Sequence, residues 1–275
     1  MTPPMTRPTT PPMTSSPWRG RDLGTRTVSY TERDAILYAL AVGARATDLD
    51  LVFEERLRVL PTFALTLAQW VPDALGALGA FDPRTAVHGA QRLTVLRPLP
   101  PAGELTVSAR VAEVWDKGSA AVFELEAVCE HFIATWSLFA PGCGGFGGER
   151  GPAAQAFDLD GGQRLSVATG PDQAALYRLL GDRHHMHIDP AAARAAGMPR
   201  PFLHGLCTLA AATLPIAGAL GAHPADLTEL QARFSAPVFP GDRLDLRGRS
   251  VGSALHFDAA VDGRTVLSGG RAVFA

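Results

Sequence analysis

The sequence predicts an α+β chain of two successive halves, in each of which an apolar helix lies against an antiparallel sheet. Three observations predict it. Apolar and polar residues alternate strictly through Leu105, Val107, Ala109 and Val111, the mark of a strand with one buried face. Largely apolar runs of helical length, Phe63–Leu78 and Leu206–Leu220, come before each group of strand-like segments. A short segment also recurs about half a chain later: Pro98-Leu-Pro-Pro-Ala-Gly103-Glu-Leu105 is echoed by Pro237-Val-Phe-Pro-Gly241-Asp-Arg-Leu244.

The elements follow in order. Met1 to about Gly20 is rich in Pro, Thr and Ser with no apolar stretch, and reads as a disordered leader without the apolar core of a signal peptide. Thr31 with Asp34 three residues later forms a capping-box pattern, and Ile36, Leu37, Leu40 and Ala44 suit a helix face. Trp70-Val-Pro72 should break or kink the first apolar helix, because proline cannot donate within a helix. From His88 to about Ala140 the pattern is a β meander, with a turn at Asp116-Lys117-Gly118. The glycine-rich run Pro141–Gly151 does not join a strand to a helix, so it reads as the flexible start of a linker and not as a dinucleotide loop. In the second half, Pro171 is expected at the first position of a helix over Asp172–Leu180, and Pro190–Ala196 is a short helix stopped by Gly197. The apolar helix Leu206–Leu220 contains Pro215, and four strand-like runs follow, at Gln231–Ser235, Arg243–Arg249, Ala254–Val261 and Thr265–Phe274.

Composition narrows the function classes. A chain of 275 residues with a net charge of −2 offers no basic field for nucleic acid or an anionic membrane surface. No window reaches the roughly 18 apolar residues of a membrane-spanning helix. Cys129, Cys143 and Cys207 are too few and too scattered for a disulfide framework or a cysteine metal site. The final residues, Arg271-Ala-Val-Phe-Ala275, are not the peroxisomal tripeptide address. A cytoplasmic protein is expected.

Histidines mark the chemistry. Between two helix candidates the chain reads Gly181-Asp182-Arg-His184-His185-Met-His187-Ile-Asp189-Pro190. Three readings compete for this loop. His184 and His187 with Asp182 and Asp189 resemble a metal set, though no second ligand group follows at a set spacing. Asp189 before Pro190 is explained as an N-cap. Asp182 and His187 form an acid/base pair able to handle one water near neutral pH. Further on, His204-Gly205 opens the second apolar helix. Gly205 has no Cβ, and its N–H lies at the positive end of the helix dipole, a natural seat for an oxyanion.

With those residues in view, Gly181-Asp182-x-x-x-x-His187-Ile-Asp189-Pro190 followed by His204-Gly205-Leu-Cys-Thr208 resembles the hydratase 2 motif of MaoC-like enzymes, Gly-Asp-x-Asn-Pro-Leu-His. Leu60-Pro-Thr-Phe63, Val87-His88-Gly89, Asp116-Lys-Gly118, Gly144-Gly-Phe-Gly-Gly148 and Ala232-Arg-Phe234 are similar to the hydratase 2 domain of multifunctional β-oxidation enzymes. The resemblance implies a double hot dog fold. The leader would span 1–20, a non-catalytic N-terminal hot dog with room for an acyl chain 21–150, a linker 151–160 and a catalytic C-terminal hot dog 161–275. It implies reversible hydration of trans-2-enoyl-CoA to the (R)-3-hydroxyacyl-CoA, with Asp182 and His187 handling water, Gly205 holding the thioester oxyanion, and His184 in the place of the motif's Asn. His88, His204 and Lys117 would contact substrate, Lys117 through the coenzyme A phosphates. No metal or redox cofactor is implied, and relatives of this kind suggest a homodimer. Two departures stand out: His184-His185 replaces Asn-Pro, and Gly89-Ala90-Gln91 replaces Gly-Glu-Gln. They leave a catalytically weak acyl-CoA-binding protein, or a hot dog thioesterase, as the alternative readings.

Overall fold

The computed structural model describes residues 16–275; most of the expected leader, residues 1–15, lies outside them. The rest of that segment forms a turn whose Gly20 N–H donates to Val111 O at 2.9 Å.

The first half contributes β1 (Asp22–Tyr30), α1 (Glu32–Ala41), α2 (Leu49–Val52), α3 (Phe63–Leu67), α4 (Trp70–Ala77), β2 (Val87–Val95), β3 (Gly103–Asp116), β4 (Ala120–Val128) and β5 (Phe132–Pro141). The second contributes β6 (Gln163–Ala168), α5 (Gln173–Tyr177), α6 (Pro190–Ala195), α7 (Gly205–Ala219), β7 (Leu227–Phe234), β8 (Arg243–Val251), β9 (Ala254–Val261) and β10 (Arg264–Phe274). All ten strands form one antiparallel sheet ordered β1-β3-β4-β5-β2-β7-β10-β9-β8-β6. Numbering strands within each half gives the same order twice, first-third-fourth-fifth-second, read inward from each outer edge to the seam. The seam is the pairing of β2 with β7, where Leu93 sits opposite Leu230, each 2% exposed. The echoed segments lead into the third strand of each half, β3 and β8, and both Leu105 and Leu244 are buried there. Two sheets, each wrapped around its own helices and fused edge to edge, make a double hot dog.

Local chemistry sets the helices. Thr31 caps α1 with the reciprocal bonds of a capping box: its hydroxyl accepts from Asp34 N, and the Asp34 carboxylate accepts from Thr31 N at 2.8 Å. The first apolar run is two helices, and the break falls at Ala68-Gln69, ahead of Pro72. Proline occupies the first turn of α4, where a backbone N–H would have had no intrahelical partner. Helix α5 begins at Gln173, with Asp172 in the capping position, so Pro171 precedes the helix and is not its first residue. Helix α7 is apolar on every side and buried almost throughout, from Leu206 to Ala217, as expected of a helix inside a wrapped sheet.

Two strands are not apparent in the sequence, β1 and β6. They are the two edges of the sheet and carry mostly exposed residues, so neither shows the alternation of a half-buried strand. The glycine-rich run after β5 is pinned. Asp116 Oδ1 accepts from Gly118 N at 2.8 Å and Gly145 N at 2.9 Å, and its Oδ2 accepts from Gly147 N at 2.7 Å. At Gly144 a Cβ would stand 2.1 Å from Ala120 O, so only glycine passes there.

Candidate active site

A cavity of about 580 Å³ opens between the two halves, within the usual size range of small-molecule sites. Helix α4 and His88 wall it on one side; the loop after α5, the start of α7 and Phe234 wall it on the other.

The loop holds its shape through its own polar groups. Asp182 Oδ1 accepts from His184 N at 3.1 Å and from His184 Nδ1 at 2.5 Å. A single 3-10 turn, His185–His187, then leads to Asp189, whose carboxylate accepts from Ala191 N at 2.8 Å and caps α6. The loop is tied to the apolar helix at its other end: His204, the N-cap of α7, lies 3.1 Å through Nε2 from the Asp182 carbonyl. A carbonyl only accepts, so His204 carries its proton on Nε2. By the same reasoning His187 is protonated on Nδ1, which lies 2.8 Å from Phe202 O, and its Nε2 keeps a free lone pair.

Electrostatics sort these groups into roles. Burial alone would raise the Asp182 carboxyl, but the hydrogen bond from His184 and the imidazoles of His204, His184 and His187 outweigh it and hold Asp182 below the usual carboxylate range. His184 is pushed up, chiefly by its bond to Asp182. Burial pushes His187 down and His204 down to about 3, so both are neutral at pH 7. The site therefore presents an ionised carboxylate beside a neutral imidazole with an open nitrogen.

Asp182, His187 and His204 each place one possible ligand atom within 4.8 Å of the other two. A single water at about 2.8 Å from two acceptors spans such a gap. This trio is also the cluster among the described residues that a metal would use, but the His187 and His204 rings stack at 3.8 Å with 30° between planes. His204 Nε2 already donates to the Asp182 carbonyl, so that nitrogen has no lone pair to offer a metal. The metal set drawn from His184 and Asp189 does not form, because Asp189 caps α6 and His184 bonds Asp182.

Gly205 is the first residue of α7 and lines the cavity, and its N–H has no acceptor among the described residues. A Cβ on it would lie 3.1 Å from the Phe234 ring, so glycine lets both that ring and a ligand approach. His88 lines the same cavity: its Nε2 is 3.0 Å from Ala90 O, it packs on Phe234 at 4.7 Å, and burial pushes it down to about 4. Lys117 does not join them. It sits on the β3–β4 turn, donates to Arg150 O and is absent from the cavity wall.

One wall escaped the sequence reading. Gln69, Pro72, Asp73, Gly76 and Ala77 all line the cavity. Their spacing of three, four, seven and eight residues from Gln69 is one face of a helix. A polar and small-residue stripe on an otherwise apolar run is the signal that marks it.

Comparison with known proteins agrees with this architecture. Residues 28–131 match the MFE-2 hydratase 2 N-terminal domain, and residues 154–269 match the MaoC like domain. The 3-hydroxyacyl-thioester dehydratase Y of Mycobacterium tuberculosis is 40% identical over 78% of this chain and 80% of its own. Enoyl-CoA hydratase ChsH3 of the same organism is 36% identical over 88% of this chain and 92% of its own. The solved structure of a MaoC-like dehydratase from Phytophthora capsici superposes with a TM-score of 0.84 at 28% identity, over 94% of this chain and 96% of that one.

Proposed function

From a chain that belongs to the MaoC-like hydratase 2 family, we propose reversible hydration of trans-2-enoyl-CoA to (R)-3-hydroxyacyl-CoA. The observation that carries this reading is the meeting, in one cavity, of ionised Asp182, neutral His187 and the open N–H of Gly205. Water sits between Asp182 and His187 Nε2. As its oxygen bonds C3, His187 takes its proton, and negative charge moves to the thioester oxygen at the Gly205 N–H. The enolate collapses as His187 returns the proton to C2. The thioester supplies the activation, so this scheme draws on no metal or redox cofactor. Within this reading the acyl chain lies along the α4 wall, and the enzyme works in the cytoplasm as a homodimer. Light scattering is expected to return about twice the 29.0 kDa chain mass.

The test is loss of enoyl-thioester absorbance on adding protein to short- and medium-chain trans-2-enoyl-CoA, with chiral analysis of the product. Turnover to the (R) alcohol supports the reading. Acyl-CoA binding without turnover, with activity gained on His184→Asn, would instead indicate a weakly active binding protein, and free thiol released from a saturated acyl-CoA a thioesterase.

A further inference from the structure

We propose that His204 is a positioning residue for this reaction: one buried ring holds the Asp182 backbone by a hydrogen bond, the His187 ring by stacking and the Gly205 N–H through a shared peptide. The inference rests on the hydratase reading above. At 2% exposed, His204 offers a substrate almost no surface, and its contacts are with protein. Its Nε2–H donates to the Asp182 carbonyl at 3.1 Å, 22 residues back along the chain. Its ring lies on His187 with centroids 3.8 Å apart and 30° between planes, and Tyr177 packs on it at 4.8 Å. Tyr177 is tied in turn to the N-terminal half, its hydroxyl pairing with Thr66 Oγ1 of α3 at 3.1 Å.

Each hold fixes an atom that the reaction uses. His187 bonds Phe202 O through Nδ1 at 2.8 Å, and a ring held at one point can still roll about it. A second ring flat against it stops that roll and fixes the direction of Nε2, which takes the proton from water. The trans peptide between residues 204 and 205 sets the His204 carbonyl and the Gly205 N–H in one plane. Thr208 N and Oγ1 donate to that carbonyl at 3.1 and 3.3 Å, so a fixed His204 aims the Gly205 N–H at the thioester oxygen.

Packing alone does not account for a histidine here. Nδ1 of His204 is buried without a partner among the described residues, and such an atom costs stability that a phenyl ring of similar shape would not. Charge fits the role as well. Burial holds the His204 imidazole down to about 3, so it stays neutral while His187 gains a proton. A second cation stacked on His187 would oppose that gain.

The experiment compares two variants of the full chain. His204→Phe keeps a ring against His187 and removes the donor to Asp182; His204→Gln keeps an amide donor and removes the ring. Each should melt as a folded protein, with kcat about ten- to 10²-fold lower and KM nearly unchanged, the mark of a misplaced reacting group. Wild-type kcat in either variant, or losses no larger than the fall in folded fraction, would overturn the proposal. Ring protons followed by NMR give a reading without substrate. In the chain isotope-labelled at histidine, His204 Nε2–H and His187 Nδ1–H should both exchange slowly with solvent, assigned by their loss in His204→Phe and His187→Gln. In His204→Gln the His187 Nδ1–H should exchange about tenfold faster, and in His204→Phe it should stay slow. Unchanged exchange in His204→Gln would also overturn the proposal. If the ring protons behave as expected in a protein that turns over no enoyl-CoA, the hydratase reading fails and the brace remains.

Discussion

The two halves share a strand order and differ in what their helices do. In the C-terminal half a short helix, α5, delivers a tight histidine loop to the head of one continuous buried helix, α7. In the N-terminal half α1 is followed by a stretch without a histidine before α3, and the helix inside the sheet is broken into α3 and α4. Its sheet is no less well packed: Trp136, Phe123 and Leu125 are all but sealed from solvent. The comparison teaches that one strand order can carry a histidine loop in one half and a cavity-lining helix in the other.

Substitutions can break that comparison. The largest effect belongs to the histidine loop. Asp182→Asn should lower kcat about 10²- to 10⁴-fold while circular dichroism stays native; retained turnover would remove Asp182 from the chemistry. Next is the N-terminal sheet, where Trp136→Ala should cost about 3–5 kcal/mol in denaturant unfolding. A cost near zero would mean that this half does not share the cooperative core. The glycines at equivalent walls should then diverge. Gly205→Ala forces a methyl to 3.1 Å from the Phe234 ring and should lower kcat about tenfold through the displaced N–H. Gly76→Ala meets only ordinary contact with the nearest atom, Pro83 Cγ at 3.4 Å. It should raise stability by up to about 1 kcal/mol, and because Gly76 lines the α4 wall its kinetic effect should fall on KM and not on kcat. Equal effects at both positions would erase the distinction between the halves.

A pH effect runs through both halves. His88 in the first half and His204 in the second are held neutral, pushed down from 6.5 to about 4 and about 3. Between about pH 6.5 and 4 the unfolded chain therefore binds more protons than the folded one. The stability that these two histidines contribute should be full above pH 6.5 and fall as pH drops through that window. His88→Gln should flatten part of the slope, and an unchanged slope would show that His88 is not kept neutral by the fold.

Much of this was legible in the sequence. The meander, the capping box at Thr31, the Asp189 cap and the loop from Asp182 to His187 are written in spacing and residue type. The edge strands β1 and β6 were not, because exposed strands need no apolar alternation. The order of the Gly144 region was hidden too, since glycine looks flexible until its partner, Asp116, is seen. Lys117 was expected to reach the coenzyme A phosphates, yet it is not among the residues that line the cavity.

The central claim is that one water, held by one loop, supplies both the hydroxyl and the proton. Hydration run in D₂O, with the product examined by proton NMR, tests it directly. The geometry predicts a single deuterium at C2 on the same face as the new C3 hydroxyl. Addition to the opposite face, or a scrambled C2, would contradict the account.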